Sequence, residues 1–419
     1  MAGNLATVLW TLAAAIQSAC SGEIPSQDRV DFFFTDAEWK EYGRRIERSN
    51  RNDFSLSVRM GVHRESVRAT AHLRGRGSFR CARRSYTLNL YGKRPRFASL
   101  DSVTDEFYLL SLCLDHGYVR QHTVLKLWSQ LGLFPLKLRY VELTLNGRSR
   151  GVYLLVEKLD RIRFSRTGLR ALLRRNFRDG RTVVEVKYSR TVEQEARSDY
   201  EKTLEEFAGL SGEPLLARFR ERMNLDQYLL WVASNALLQN GDSVDELWLL
   251  AEDNPTPQAG ARPYYTFFAW DPDDVFNPCH YNGRYAFHDP HELTYCAEAE
   301  WDHILLGDPA GYTLYVDVLE DLVETRLKPQ IFNDILQETS DALLPFMTRE
   351  NVAPAMVELF PSGNGSPESD RATAEATIRD AVRHLSQSFE RSSRVMEERI
   401  ARYRKSVAAS AEGSAEEIR

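Results

Sequence analysis

Short runs of alternating apolar and polar residues dominate the chain from residue 51 to residue 140, and they restrict this part to a β-rich fold. The runs are FSLSVRMGV, SVRATAHLRG and SYTLNLYG, each ended by glycine or a charged turn, and then the shorter DEFYLLSL. A period of two residues is typical of half-buried strands. We therefore predict successive antiparallel strands here.

A β-hairpin is predicted next, formed by LRYVELTL, the turn Asn146-Gly147 and SRGVYLLVEKL. Asn-Gly between two alternating runs favours a two-residue turn because both residues tolerate positive φ angles. A helix is predicted before this hairpin, over residues 118–131, where apolar residues recur at three- and four-residue spacing.

Helical patterns become frequent in the second half of the chain. Residues 169–177 and 198–239 have such patterns, separated by the strand TVVEVKYS. Residues 225–239 are apolar nearly all round, which predicts a helix in the interior of a second lobe. Two strands, ELWLLAE and YYTFFAW, precede the acidic sequence DPDD, and the chain beyond Trp301 is mostly helical with a break over residues 361–367.

These patterns predict an α+β protein with two lobes, because 419 residues exceed what one hydrophobic core usually serves. We assign residues 1–20 to a secretory or lipoprotein signal segment, 28–190 to a β-rich N-terminal lobe, 191–405 to an α-rich C-terminal lobe and 406–419 to a disordered tail. The 54 basic residues are outnumbered by 60 acidic ones, which argues against a dedicated nucleic-acid binder.

The N-terminal segment indicates export. Residues 5–19 are apolar and uncharged but shorter than the roughly 20 residues that span a bilayer, which is typical of a secretory signal. The following Ala19-Cys20-Ser21-Gly22 suggests a lipoprotein cleavage site with Cys20 acylated at the bacterial cell envelope. Gln17 and the absence of Lys and Arg from MAGN are unusual there. An internal buried helix and an over-long gene start are the alternatives.

If the chain is exported, the other four cysteines can pair in three ways. Cys279 and Cys296 are the favoured pair because they flank one loop-rich stretch. Free buried thiols are the alternative.

An acidic series follows the apolar helix of residues 225–239. Asn240-Gly241-Asp242 is followed by a predicted hairpin and then by Asp271, Asp273 and Asp274, so the hairpin can bring carboxylates from both its ends to one point. One carboxylate can then accept the proton of an attacking hydroxyl while another binds Mg²⁺, which prefers carboxylate oxygens. A solvated turn or a weak Ca²⁺ loop is the alternative.

A basic, glycine-containing sequence lies between two of the predicted strands. It comprises Arg74-Gly75-Arg76-Gly77-Ser78, followed by Arg83-Arg84. Glycines let backbone N–H groups approach a phosphate closely, and guanidinium groups match phosphate oxygens two at a time. A solvated edge-strand turn explains the same residues.

Taken together, these motifs resemble the CotH kinase family, whose members have an atypical protein-kinase-like fold with two lobes. The resemblance covers residues 73–276 in four blocks, which are RGRGSFRCARRSYTLNL, YLLSLCLDHGYVRQHTV, VELTLNGRSRGVYLLVEKLD, and the pair NGDSVDELWLL and FFAWDPDDVF. Arg83 and Arg84 stand where lysines are usual in the family.

The resemblance implies a metal-dependent catalytic site in the second lobe. Asp242 matches the catalytic carboxylate, and Asp271, assisted by Asp273, matches the metal ligand. Glu246 stands where the family usually has asparagine, and it is assigned to the metal as well because a carboxylate can also ligate Mg²⁺.

The resemblance also implies contacts with the nucleotide. Lys187, at the end of the strand TVVEVKYS, matches a lysine that we assign to the phosphates, and Arg76, Ser78 and Arg84 belong to the basic block. Glu157 is expected to orient a basic residue of the same site. A solvated strand-end charge is the alternative for Lys187 and for Glu157.

The leading hypothesis is therefore an exported kinase that transfers the γ-phosphoryl group of ATP, with Mg²⁺ or Mn²⁺, to Ser or Thr of a protein substrate. A catalytically degenerate, surface-anchored pseudokinase that acts as a binding module is the second hypothesis, because the asparagine is replaced. A carboxylate-metal hydrolase using His280, His288 and His291 is the third.

Overall fold

The computed structural model describes residues 28–48, 51–60, 66–75, 77–91, 96–97, 100–101, 104–158, 169–254, 262–281, 286–349, 351–356 and 367–417. They form two compact units. The described parts of the first unit lie within Met1–His122, Leu136–Arg163 and Glu338–Ala381, and those of the second within Thr123–Pro135, Phe164–Gln337 and Val382–Arg419.

The first unit is built on a closed β-barrel. Its strands are β1 (Arg29–Phe33), β2 (Phe54–Met60), β3 (Val67–Arg74), β4 (Ser85–Asn89), β5 (Arg96–Phe97), β6 (Leu100–Asp101), β7 (Glu106–Leu110), β8 (Leu138–Leu145) and β9 (Arg148–Glu157). The barrel order is β1-β2-β3-β4-β7-β9-β8, and β5 and β6 form a separate two-stranded sheet in the described part of the chain. Strands β1 and β8 close the barrel in parallel, whereas the other barrel pairs are antiparallel.

The predicted strands and hairpin of this unit are confirmed. Alternate residues of β2 are buried, among them Phe54, Leu56 and Val58, so the period of two does mark the face that points into the core. The turn residues Asn146 and Gly147 have φ angles of 46° and 80°, as a two-residue hairpin turn requires.

The second unit contains a four-stranded antiparallel sheet. Its strands are β10 (Leu169–Arg178), β11 (Arg181–Ser189), β12 (Leu247–Glu252) and β13 (Tyr264–Ala269), in the order β11-β10-β12-β13. Strands β10 and β11 precede the predicted lobe boundary at residue 190, yet β10 pairs with β12, which follows it, so all four strands form one sheet. The compact units thus divide the chain differently from the two predicted lobes.

The predicted helix over residues 169–177 is wrong, because this segment is strand β10. Its leucines and arginines favour a helix locally, but pairing with β11 and β12 on both sides overrides that preference. Arg174 and Arg175 point to opposite faces of the sheet, and Arg175 is 1% exposed with its Nε donating to the carbonyl oxygen of Val244.

Helices make up most of the remaining described residues. They are α1 (Asp36–Glu47), α2 (Arg120–Gln130), α3 (Glu193–Phe207), α4 (Gly212–Arg222), α5 (Leu225–Leu238), α6 (Glu300–Leu306), α7 (Pro309–Asp321), α8 (Pro329–Met347) and α9 (Pro367–Glu417). Every residue of α5 except Asp226 and Gln227 is buried, which confirms the predicted interior helix. No helix among the described residues is both apolar enough and long enough to span a bilayer.

The disordered tail predicted from residue 406 is also wrong, because α9 continues to Glu417. Its small residues include several alanines, which have the highest helix propensity. The predicted signal segment of residues 1–20 lies outside the described residues, as do residues 361–366 of the predicted break.

The α+β class is confirmed by this mixture of helices and strands. A closed seven-stranded barrel does not by itself identify a kinase-like N-terminal lobe, so that finer assignment stays a prediction.

Two disulfides are present. Cys279 and Cys296 form one, with their Cα atoms 5.5 Å apart, which confirms the favoured pairing. Cys81 and Cys113 form the other, with a Cα separation of 6.3 Å.

Candidate active site

A hydrogen-bonded loop follows the C-terminus of α5 and positions Asp242. The helix ends at Gln239 in the left-handed conformation, and the buried Asn240 then donates its Nδ2 to Asn235 Oδ1 at 2.9 Å and accepts the Asp242 N–H at 3.3 Å. At Gly241 a Cβ atom would lie 2.1 Å from the carbonyl oxygen of Pro278. Only glycine therefore allows the two loops to approach this closely.

A single 3₁₀ turn, Ser243–Asp245, places two further carboxylates beside Asp242 before β12 begins. Ligand oxygens of Asp242, Asp245 and Glu246 all lie within 4.8 Å of one another. Asp245 and Glu246 are only 7% and 4% exposed. Burying two carboxylates this close together is costly unless a cation or a proton accompanies them.

The loop after β13 supplies a second group of carboxylates. Oxygens of Asp242, Asp273 and Asp274 also lie within 4.8 Å of one another, so Asp242 belongs to both groups. The Gly241 N–H donates to the carbonyl oxygen of Asp274 at 3.0 Å, which holds the two loops together. Asp271 has a positive φ of 47°, and its charge contributes to raising the pKa values of Asp242 and Glu246.

The crowded negative charge is evident in the pKa values. Burial, followed by the Asp245 carboxylate, raises the pKa of Asp242 to about 7. Burial raises the pKa of Glu246 well above its usual range, against the opposing effect of Arg174. Burial and the charge of Asp271 likewise raise the pKa of Asp273. The site thus binds protons near neutral pH when no other cation neutralises it.

One guanidinium group offsets part of this charge. Arg174, on β10, donates from Nη2 to Glu246 Oε1 at 2.8 Å and from Nε to the carbonyl oxygen of Asp245 at 3.3 Å. Burial alone would lower the pKa of Arg174, but Glu246, Asp245 and Asp271 raise it above its ordinary value. Arg174 therefore stays charged.

Two side chains of one segment contact the carboxylates from the other side. The hydroxyl of Tyr281 donates to Asp242 Oδ1, and His280 Nε2 lies 3.2 Å from Asp274 Oδ1. The Phe177 ring packs against Tyr281 with the ring centroids 4.8 Å apart. Burial and the hydrogen bond to Asp242 raise the pKa of Tyr281, so its hydroxyl stays a donor.

The residues fit a hard divalent cation. Asp245 Oδ1 and Glu246 Oε2 are buried and make no hydrogen bond with any described residue. Buried polar atoms are normally paired, and oxygen ligands of this type suit Mg²⁺ or Mn²⁺.

The structure thus brings together three of the sequence-predicted site residues, Asp242, Glu246 and Asp273. Asp271 lies near enough to affect their titration but outside both groups of mutually close oxygens. Lys187, predicted for the nucleotide, is exposed and paired with Glu185 on β11.

The other predicted nucleotide contacts belong to the barrel unit. Ser78 donates its hydroxyl to the carbonyl oxygen of Arg74 at 3.3 Å, and Glu157 is buried, with Oε2 accepting the Lys137 N–H at 3.1 Å. Nε and Nη1 of Arg84 are buried and make no hydrogen bond within the described part of the chain. Arg76 lies outside the described residues.

Four residues of the site were not assigned a role from the sequence. Asp245 and Asp274 are next to Glu246 and Asp273 in the sequence, so these acidic pairs could have indicated that all four carboxylates belong to the site. Arg174 fell in the segment predicted as a helix, and Tyr281 follows the acidic loop without a recognisable pattern. Only the tertiary structure identifies these last two.

Comparison with known proteins gives one finding. A family model described as CotH kinase protein matches residues 71–401 of the 419 residues. The comparison with curated proteins finds no match.

Proposed function

Because the chain belongs to the CotH kinase family, we propose that it is a metal-dependent protein kinase. It transfers the γ-phosphoryl group of ATP to a Ser or Thr hydroxyl of a protein substrate. The residues that carry the reaction are the carboxylates of the second unit.

One observation carries this proposal. Asp242, Asp245 and Glu246 hold their oxygens within 4.8 Å of one another, and two of these oxygens are buried without a hydrogen-bond partner among the described residues. Leaving buried acceptors unpaired costs about 1–3 kcal/mol each, so the arrangement favours a bound cation. Phosphoryl transfer depends on such a cation.

We assign to Asp242 the role of accepting the proton of the attacking hydroxyl. It is partly exposed, whereas Asp245 and Glu246 are buried, so it is the carboxylate of its group that a substrate can reach. Its Oδ1 accepts the Tyr281 hydroxyl, which orients the other oxygen. This role follows the general-base function of a kinase-type aspartate.

The remaining carboxylates would hold Mg²⁺ or Mn²⁺, namely Asp245 and Glu246 in one group and Asp273 and Asp274 in the other, with Asp271 nearby. When bound, the cation neutralises charge that develops on the phosphoryl oxygens.

Contacts with the ATP phosphates are assigned to basic side chains. Lys187 belongs to the same sheet as Arg174, and Glu185 interacts with both. Arg84, whose Nε and Nη1 make no hydrogen bond among the described residues, keeps its assignment to a phosphate oxygen. Arg76, Ser78 and Glu157 keep the nucleotide-site roles implied by the family resemblance.

Labelled ATP tests the proposal. With Mn²⁺ or Mg²⁺, the purified protein is expected to label itself or a basic model protein. Asp242→Asn should reduce labelling by roughly 100-fold or more, as expected for loss of a general base. Asp253→Asn, at a side chain that is 77% exposed, is the matched control and should retain activity. Equal labelling by Asp242→Asn and the wild type would refute the assignment.

A pseudokinase that acts as a binding module is the second candidate, and the Arg174–Glu246 ion pair favours it. Arg174 already neutralises a residue that stands where the family usually has asparagine. A protein of this kind would be stabilised by ATP and Mn²⁺ without transferring phosphate. The labelling assay separates the two candidates, and thermal unfolding with and without ATP and Mn²⁺ shows whether a protein that transfers no phosphate still binds the nucleotide.

We also propose that the protein is exported, with Cys20 as a lipid anchor. The two disulfides support export because disulfides persist in oxidising compartments. Labelling of cells with a radioactive fatty acid should mark the wild type and spare Cys20→Ser. Equal labelling of both would exclude this anchor.

A further inference from the structure

The segment Cys279-His280-Tyr281 and its disulfide partner Cys296 contact the Asp242 loop at the carbonyl oxygen of Gly241. The His280 N–H donates to the carbonyl oxygen of Gly241 at 3.0 Å. Cys296, the disulfide partner of Cys279, places its Sγ 3.5 Å from the same oxygen. The disulfide therefore lies directly against the loop that presents Asp242.

Tyr281 is the side chain through which this segment reaches the reacting carboxylate. Its hydroxyl donates to Asp242 Oδ1, and Phe177 packs on its ring. A carboxylate that receives a hydrogen bond from a fixed phenol loses rotational freedom. Asp242 has no comparable donor in its own loop, because the Asn240 amide instead accepts the Asp242 backbone N–H.

We propose that Tyr281 is a positioning residue for Asp242 and that the Cys279–Cys296 disulfide holds Tyr281 in place. This inference rests on the proposed function. Tyr281 fixes the orientation of the Asp242 carboxylate, so the oxygen that does not bind Tyr281 faces the incoming hydroxyl. The disulfide restrains the backbone two residues before Tyr281, and we assign its effect on the reaction rate to this restraint.

The Tyr281 hydrogen bond and the Cys279–Cys296 disulfide have separate roles. Residue 281 supplies the hydrogen bond, whereas the disulfide limits the distance over which residue 281 can move from Gly241. Removing the hydroxyl alone should therefore remove the effect of the disulfide on the reaction rate. Two mutations that act through one contact are non-additive, and a double-mutant cycle measures this.

The first test is such a cycle, made of the wild type, Tyr281→Phe, Cys279→Ser/Cys296→Ser and the triple variant. Tyr281→Phe is expected to lower kcat by roughly 10–100-fold, the usual effect of losing an outer-shell partner, with KM for ATP unchanged. The cysteine pair should lower kcat similarly, and the triple variant should be no slower than Tyr281→Phe.

Tyr312→Phe is the matched control. Its hydroxyl also donates to an aspartate, Asp289 Oδ1 at 2.7 Å, in the same unit but outside the carboxylate groups. It should leave kcat unchanged. Equal loss in Tyr312→Phe, additive losses in the triple variant, or a faster Tyr281→Phe enzyme would each overturn the positioning role.

Hydrogen exchange tests the inference without any catalytic activity. Loss of the Cys279–Cys296 disulfide should speed exchange of the Gly241 and His280 amides, whereas β12 amides should not change. Removing the Cys81–Cys113 disulfide should leave the Gly241 and His280 amides protected. Unchanged exchange after loss of Cys279–Cys296 would overturn the inference even in a protein that transfers no phosphate.

Mn²⁺ titration separates failure of this inference from failure of the proposed function. A wild type that neither binds Mn²⁺ nor transfers phosphate contradicts the proposed function, and hydrogen exchange then decides the role of the disulfide alone. If the serine variant does not fold, Cys279→Ala/Cys296→Val restores the apolar volume of the sulfur atoms and serves in its place.

Discussion

Replacing Asp242 with asparagine is expected to stabilise the metal-free protein at pH 8. It should also weaken stabilisation by Mn²⁺, because Asp242 belongs to both groups of close carboxylate oxygens. The pKa of Asp242 is raised to about 7 in the folded protein, mainly by burial and then by Asp245. In an unfolded chain an aspartate titrates near about 3.9. Ionised Asp242 therefore opposes folding, and asparagine at this position carries no charge.

Proton linkage gives the direction and the size of the effect of Asp242 ionisation on the free energy of unfolding. Below about pH 4 the Asp242 carboxyl is protonated in the folded and the unfolded state, so it does not affect the free energy of unfolding. Between about pH 4 and pH 7 only the folded state retains the proton, so stability falls as pH rises. A difference of about 3 pKa units corresponds to about 4 kcal/mol. Solvent screens part of this cost because Asp242 is only partly buried, so we expect about 2 kcal/mol.

Thermal unfolding of chelated protein between pH 4 and pH 8 measures the effect. About 2 kcal/mol corresponds to a Tm increase of roughly 4–8 °C for a unit of this size. Mn²⁺ at 100 times its Kd should stabilise the wild type by about 2.7 kcal/mol and Asp242→Asn far less.

Asp253→Asn is again the control and should behave as the wild type in both conditions. The reasoning fails if metal-free Asp242→Asn is no more stable than the wild type at pH 8. It also fails if the variant keeps the full stabilisation by Mn²⁺.

Three further substitutions test other parts of the structure, each by chemical denaturation. Gly241→Ala places a Cβ 2.1 Å from the Pro278 carbonyl oxygen, so it should lower the free energy of unfolding by about 1–3 kcal/mol and weaken Mn²⁺ binding. Unchanged stability would refute the close approach of the two loops. Arg174→Met leaves the buried Glu246 without its ion-pair partner, so it should lower the free energy of unfolding of the metal-free protein at pH 7 by about 3–5 kcal/mol. Mn²⁺ should restore part of this stability. Burial raises the pKa of Asp115 to about 6, so ionisation opposes folding above about pH 4. Asparagine carries no charge but replaces one of the two oxygens that accept the Arg120 and Gln121 N–H groups. Relative to the wild type, Asp115→Asn should therefore be about 2 kcal/mol more stable at pH 7 than at pH 4, and no difference between the two pH values would contradict this cause.

Much of the fold was predictable because local pattern and tertiary structure agree. The period of two in β2 and the Asn146-Gly147 turn both specify structure within a few residues. Strand β10 was not predictable, since its sequence favours a helix and only pairing with β11 and β12 makes it a strand. The closure of the barrel by β1 and β8 joins segments more than 100 residues apart, which a local pattern does not encode.

The site was predicted in part for a similar reason. Asp242 precedes the β12–β13 hairpin and Asp273 follows it. Because a hairpin brings its two ends together, the sequence already indicated that these two carboxylates lie close to each other. Arg174 and Tyr281 reach the same point from β10 and from a disulfide-bonded loop. Nothing in the spacing of these two residues along the chain encodes that convergence.

Several backbone groups at the edges of the four-stranded sheet are bonded to other groups of the protein. Backbone groups of β13 form hydrogen bonds with the backbone of Leu133 and Asn224 and with the side chain of Gln227. Backbone groups of β11 form hydrogen bonds with the side chains of Arg197 and Glu300. The barrel strands have no edge, because they close on themselves. An extended peptide thus finds these backbone groups already bonded, so recognition by added strands is disfavoured and so is fibrillar self-association through them.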